Sequence, residues 1–133
     1  MDKIELFELC GKERERVFSP YCWIIRYALA HKGLNFTTTP IKFGEKERIA
    51  FSKQGLVPVL KDSTAVVTDS WDILTYLESK YTDQLSLFPN GTTTARFIKH
   101  WVESSLYPLL APIVIKDIHD HLDAADQVYF RES

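Results

Sequence analysis

Apolar and polar positions alternate at the start of the chain, with Ile4, Leu6 and Leu9 set against Glu5 and Glu8. A period of two over Lys3 to Leu9 predicts a β-strand. From Trp23 to His31 the period lengthens. Ile24, Ala28 and His31 fall on one side of a helix, with Trp23, Tyr27 and Ala30 beside them. Gly33 follows Lys32 where a left-handed, helix-ending residue is expected. Asn35 to Phe43, with Phe36, Thr37, Thr38 and Ile41, reads as a second strand despite Pro40. Strand, helix and strand in that order imply parallel pairing through a right-handed crossover.

Gly44 to Phe51 is a short, charged helix candidate, closed by Ser52-Lys53-Gln54-Gly55. Two apolar runs follow, Val57-Pro58-Val59-Leu60 and Ala65-Val66-Val67, around the polar turn Lys61-Asp62-Ser63-Thr64. They predict an antiparallel hairpin. Asp69 or Ser70 then caps a helix in which Ile73, Leu74, Leu77 and Tyr81 recur. Thr82 to Gly91, ending in Pro89-Asn90-Gly91, is a polar linker. Thr92 to Thr94 open a further helix through Phe97, Trp101 and Val102, which Pro108 and Pro112 interrupt or kink. The expected fold class is α/β: a βαβ-ββα unit with a four-stranded mixed sheet over residues 1–82, a linker at 83–91, and a partial all-α region at 92–133. A single helix exposing Trp101, Tyr107, Leu109 and Leu110 cannot bury its apolar face alone. Residues 92–133 therefore read as the incomplete start of a helical domain, and Phe97 to Ile115 as a surface for self-association.

Composition narrows the function classes only a little. A net charge of −2 and a pI of about 6.1 give no reason to expect nucleic acid or an anionic membrane surface as partner. Met1 to Glu5 lacks the apolar stretch of a signal peptide, and no apolar run approaches the roughly 20 residues that span a bilayer. Two cysteines, Cys10 and Cys22, are too few for a disulfide framework, so a reducing cytoplasm is the default. His119 and His121, two apart on a helix, point to opposite faces and do not suggest a shared metal. Trp23, Trp71 and Trp101 are expected in the core or an interface.

The candidate chemistry lies at Phe18-Ser19-Pro20-Tyr21-Cys22, between the first strand and the first helix. Serine is a favoured N-cap, and proline suits the first helical position because its missing N–H would be unpaired there. A hydroxyl at the positive end of the helix dipole favours a bound anion, for which a thiolate is one candidate. The plain alternative is a capped helix and nothing more. Asp69-Ser70 admits the same two readings.

Ser-Pro-Tyr-Cys, then Gly-Leu-Val-Pro-Val-Leu, then Asp-Ser before a helix resembles the N-terminal domain of the glutathione transferases over about residues 4 to 81. The stretch Phe-Ser-Pro-Tyr-Cys-Trp with Leu-Ala-His-Lys-Gly-Leu resembles the serine-type bacterial and fungal members, including the β-etherase-like branch. The resemblance implies a thioredoxin-like fold, glutathione as co-substrate, no metal, and a cytoplasmic homodimer active in detoxification. It implies that Ser19 donates a hydrogen bond to the glutathione thiolate, lowering a thiol pKa near about 8.5 by a unit or two. At ~1.4 kcal/mol per unit, that is within reach of a charge-assisted hydrogen bond aided by a helix dipole. Val57, before a cis Pro58, would pair its backbone with the extended tripeptide. Asp69 would face the γ-glutamyl ammonium and Ser70 the adjoining carboxylate. Lys42 is the candidate for the glycine carboxylate.

The expected function is thus a glutathione transferase whose bound thiolate attacks a small hydrophobic electrophile. A non-catalytic glutathione-binding or interaction module of the same fold is the alternative. A thiol–disulfide oxidoreductase is a third reading, since Ser-Pro-Tyr-Cys looks like the glutaredoxin motif with its first cysteine replaced by Ser19. Cys22 would then carry the chemistry, although its place a turn into the helix predicts a half-buried, inert thiol.

Overall fold

β1 (Ile4–Leu9) lies inside a four-stranded sheet of order β2-β1-β3-β4 in the computed structural model of the chain, which describes residues 3–133. Met1 and Asp2, which open the expected 1–82 unit and the stretch read as lacking a signal peptide, lie outside the described residues. α1 (Pro20–His31) carries the chain over the sheet to β2 (Phe36–Ile41), which pairs parallel with β1 from Ile4↔Phe36 to Leu9↔Ile41. β2 is an edge strand, the one place where a proline costs the ladder little, and Pro40 stands there opposite Glu8. A 3-10 helix (Lys46–Ser52) leads to β3 (Val59–Asp62), antiparallel to β1, and to β4 (Ala65–Thr68), antiparallel to β3. α2 (Ser70–Lys80) completes the α/β region.

The core has two halves because β1 and β3 are covered on both sides. Ile4, Leu6 and Leu60 meet Ile25, Ala28 and Leu29 of α1 and Ile73 and Leu77 of α2 on one face. Phe7, Ile41 and Val59 meet Ile49 of the 3-10 helix on the other. Three buried charges are paired rather than bare. The Glu8 carboxylate receives Arg26 through both its Nε and its NH2. Lys32 is held by Glu78 at 2.8 Å and by the Tyr81 carbonyl at 3.2 Å. Asp62 accepts from Tyr81 at 2.7 Å, Lys80 at 2.9 Å and Tyr76 at 3.0 Å.

Asp62 explains the first departure from the sequence reading. The hairpin turns on Ser63 and Thr64 alone, not on four polar residues, because Lys61 and Asp62 remain in β3. A buried, triply bonded carboxylate extends the strand where pattern alone sees a turn. Ser63 takes φ +55° to close it. The second departure is the buried side of α1. Cys22, Ile25, Ala28 and Leu29 face the core, while Ile24 and Tyr27 are exposed. The helix is apolar nearly all round, so periodicity does not select a face. The tryptophans are not core residues either: Trp23 and Trp101 are exposed and Trp71 is half-buried. Trp23 lies on the surface with Arg26 over its ring and its Nε1 donating to the Val17 carbonyl at 2.9 Å.

Beyond the polar segment, α3 (Thr93–Trp101) runs through one π-helical turn (Val102–Leu106) into α4 (Tyr107–Asp120). The prolines do not break this helix. Pro108 has no N–H for the Ser104 carbonyl, and the turn just before it widens so that Tyr107 N–H reaches Val102. None of the residues of α3, the π turn and α4 is buried. α5 (Ala124–Glu132) turns back onto the α/β region.

Candidate functional site

Register gathers the candidate residues at one edge of the sheet. β1 runs up to the junction that starts α1 at Ser19. β3 is antiparallel to it, with Phe7 opposite Val59, so the start of β3 and the preceding Val57-Pro58 lie beside the end of β1. β4 ends at Thr68 opposite Val59, which brings Asp69 and the start of α2 to the same edge.

Ser19 is the N-cap of α1 by position, yet its side chain makes no capping hydrogen bond. The hydroxyl is thereby left for other partners at the helix N-terminus. Burial pushes the Cys22 thiol up, with hydrogen bonds from Ser19 and from the Leu9 backbone only partly offsetting it. Cys22 is fully buried, beyond the half-burial expected, and its raised pKa keeps it a neutral thiol at neutral pH. Cys10 is equally buried and also raised, chiefly by burial.

Val57 precedes a cis peptide to Pro58, as the resemblance implied. No hydrogen bond among the described residues uses the Val57 N–H or C=O. Asp69 does cap its helix, accepting from Trp71 N–H at 2.9 Å and Asp72 N–H at 3.3 Å. It does so at φ +67°, a conformation unfavourable for a residue with a Cβ. Its carboxylate remains exposed, and Ser70 beside it is buried.

Two clefts contain these groups. The first, of about 330 Å³, is lined by Val57, Pro58, Thr68, Asp69 and Ser70, with Tyr21, Gln54 and Leu56. Lys99 of α3 and Glu103 of the π turn close it from the helical side, paired at 2.8 Å. Tyr21 donates to Glu103 at 3.4 Å, and its phenol pKa is raised by burial and by that carboxylate. The second cleft, of about 150 Å³, holds Ser19 and Lys42 with Phe43, Lys46 and Tyr129. Leu56 and Val57 line both, so the two clefts adjoin at these residues and together make up the trough.

Lys42 is thus in the trough but not unengaged. Its ammonium is bound to Asp123 at 2.9 Å, which raises the lysine pKa and lowers that of the aspartate. Sequence reasoning missed Lys46, Gln54, Lys99, Glu103 and Tyr129. Lys99 and Glu103 have the spacing of an ordinary surface pair, and nothing in the local pattern around Tyr129 indicates that α5 returns to β2. Gly11 permits the return: a Cβ there would come within 2.5 Å of the His121 carbonyl, which also accepts from Lys12 N–H at 2.7 Å. Among the described residues no group of three or more metal-binding side chains occurs, and no helix is long and apolar enough to cross a membrane.

Sheet order, crossover and trough together define a thioredoxin-like α/β fold carrying a helical extension. Residues 18–80 match the sequence model described as glutathione S-transferase, N-terminal domain. Glutathione S-transferase Z1 of Arabidopsis thaliana is 38% identical over 80 residues, a match covering 53% of this chain and 36% of that protein. The crystal structure of glutathione transferase GSTFuA3 from Phanerochaete chrysosporium superposes with a TM-score of 0.83 at 30% identity, covering 98% of this chain and 59% of that one. A glutathione S-transferase of Ceriporiopsis subvermispora, solved in complex with glutathione, superposes with a TM-score of 0.80 at 22% identity and shares the fold, with 98% and 59% coverage. The chain therefore spans little more than half the length of these solved relatives, and about a third of the curated one.

Proposed function

We propose that the chain binds glutathione along the trough and holds its thiolate at Ser19 for attack on an electrophilic small molecule. The observation that carries this reading is the placement of Ser19: at a helix N-terminus, not used as a cap, in a cleft that shares Val57 with the one holding Asp69 and Ser70. On this reading the Asp69 carboxylate meets the γ-glutamyl ammonium, and Ser70 with the start of α2 meets the adjoining carboxylate. The unused Val57 N–H and C=O pair with the cysteinyl backbone as a short strand. Lys42 meets the glycine carboxylate.

Ser19 then donates its hydroxyl proton in a hydrogen bond to sulfur and is not itself a nucleophile. The thiol proton goes to solvent as the thiolate forms. Sulfur next makes a bond to the electrophilic carbon, and the leaving group departs with its electron pair. A second copy of the chain as partner, a division into 1–82, 83–91 and 92–133, and a cytoplasmic setting belong to the same proposal. Cys22 has no role in it, and its burial and raised pKa support leaving disulfide exchange aside.

The test is a calorimetric titration with glutathione followed by turnover of a nitro-substituted aryl halide. Thioether and halide should appear in equal amounts. Binding without product would reduce the chain to a glutathione-binding module, and absence of binding would remove the reading altogether.

A further inference from the structure

Both lysines of the Ser19 cleft are engaged by one helix. Lys42 donates to Asp123, the N-cap of α5, at 2.9 Å. Lys46 donates to the Tyr129 hydroxyl at 2.7 Å and lies 4.9 Å from that ring's centroid. A third tie joins the same two segments, the Gly44 N–H donating to Asp126 Oδ1 at 2.9 Å. Phe43 is wedged between the ties, 5.8 Å from the ring centroids of both Tyr129 and Phe130. The segment from Lys42 after β2 to Lys46 at the start of the 3-10 helix is thus fastened to α5 and its N-cap through the very cations that line the cleft.

The two engagements differ in charge. Tyr129 is a neutral partner and leaves Lys46 a net cation. Asp123 neutralises Lys42. An incoming ligand carboxylate would have to share the Lys42 ammonium with the Asp123 carboxylate, and two like charges around one cation oppose each other. Each weakens the other's hold on Lys42, and the effect is reciprocal.

We propose that Asp123 competes with the anionic end of the bound ligand for Lys42, so that docking of α5 sets how tightly the Ser19 end of the trough holds that anion. This rests on the glutathione reading above, with the glycine carboxylate as the competing anion. Asp123 then acts through Lys42 as a residue that tunes affinity for a carboxylate, and ligand binding loosens α5 from the loop.

The experiment compares glutathione with its C-terminal amide, which lacks the glycine charge, on the wild-type chain and on Asp123→Asn. Asparagine is an equally good N-cap, so α5 should persist, and Asp123→Ser serves as a second capping variant without the charge. The expected result is that both variants bind glutathione roughly two- to five-fold more tightly while affinity for the amide stays put. An equal shift for both ligands, or weaker glutathione binding in both variants, would overturn the competition and make Asp123 a residue that positions Lys42. A wild-type chain that binds neither ligand would instead remove the glutathione reading, and this inference with it.

Discussion

Leu6, Ile25, Leu29, Leu60, Ile73 and Leu77 have no measurable exposure in the α/β region, whereas Phe97, Leu109 and Ile113 of the long helix are 70–72% exposed. The two regions contain similar side chains and treat them in opposite ways. The α/β region buries the apolar residues of its central strands β1 and β3 on both faces and pairs even its buried charges, as Glu8, Lys32 and Asp62 show. The helix from Thr93 to Asp120 touches the rest through a few edge contacts, such as Tyr107 meeting Tyr21 edge-on at 5.7 Å. The trough follows the same division. Its Asp69 end stands on strands and a helix that support one another, with Lys99 and Glu103 only closing it, while its Ser19 end is walled by Tyr129 from α5. The apolar residues from Phe97 to Ile115 therefore stay outside any core among the described residues.

The contrast breaks most visibly in stability. Leu77→Ala should cost about 2–5 kcal/mol, as a fully buried leucine leaves a cavity. Ile113→Ala should stay within about 0.5 kcal/mol. Denaturant unfolding of the two variants measures the gap, and comparable losses would mean that the helical face is packed after all. Asp69→Asn separates scaffold from site within the α/β region. The amide oxygen still accepts from Trp71 and Asp72, so stability should hold, while glutathione binding weakens by about 1.5–3 kcal/mol with loss of the charge. Calorimetry finding no loss would leave Asp69 a cap only.

A smaller effect sharpens the boundary between the regions. Burial would raise the Glu78 pKa, but Leu87 N–H, Lys32 and Ser86 outweigh it and hold the carboxyl at about 2. The folded pKa lies below the unfolded value of about 4.3. Its contribution is therefore present above that value and is lost as pH falls through about 2. The chain should lose of order 1 kcal/mol from this group over that interval, and Glu78→Gln should remove that part of the pH dependence, read from melting curves at stepped pH. An unchanged acid limb in the variant would show that the segment at 86–87 is not tied down through Glu78.

Most of the α/β region is legible because its signals are local. Alternation in β1, the Gly33 stop and the turn-bounded apolar runs each act within a few residues. What the pattern misreads depends on distant partners. Asp62 belongs to a strand because Tyr76, Lys80 and Tyr81 come from α2 and its end to hold it. The core side of α1 is chosen by the sheet and not by the helix's own nearly uniform apolarity. For the site, Ser19, Asp69 and Ser70 are visible as helix-junction residues and Val57 and Pro58 through the family resemblance, while pairing register brings the ends of β1, β3 and β4 to one edge. Lys46 and Tyr129 are invisible, since their cleft exists only once α5 folds back 83 residues later.

The central claim is that the Ser19 hydroxyl holds a thiolate. The ultraviolet absorbance of thiolate in the glutathione complex, followed against pH, reads that directly. The wild-type chain should titrate a unit or two below the free thiol's value of about 8.5, and Ser19→Ala should raise the midpoint by about a unit, ~1.4 kcal/mol, with glutathione affinity changed no more than a few-fold. Superimposable titrations of the two proteins would contradict the account and return Ser19 to the role of a helix-junction residue.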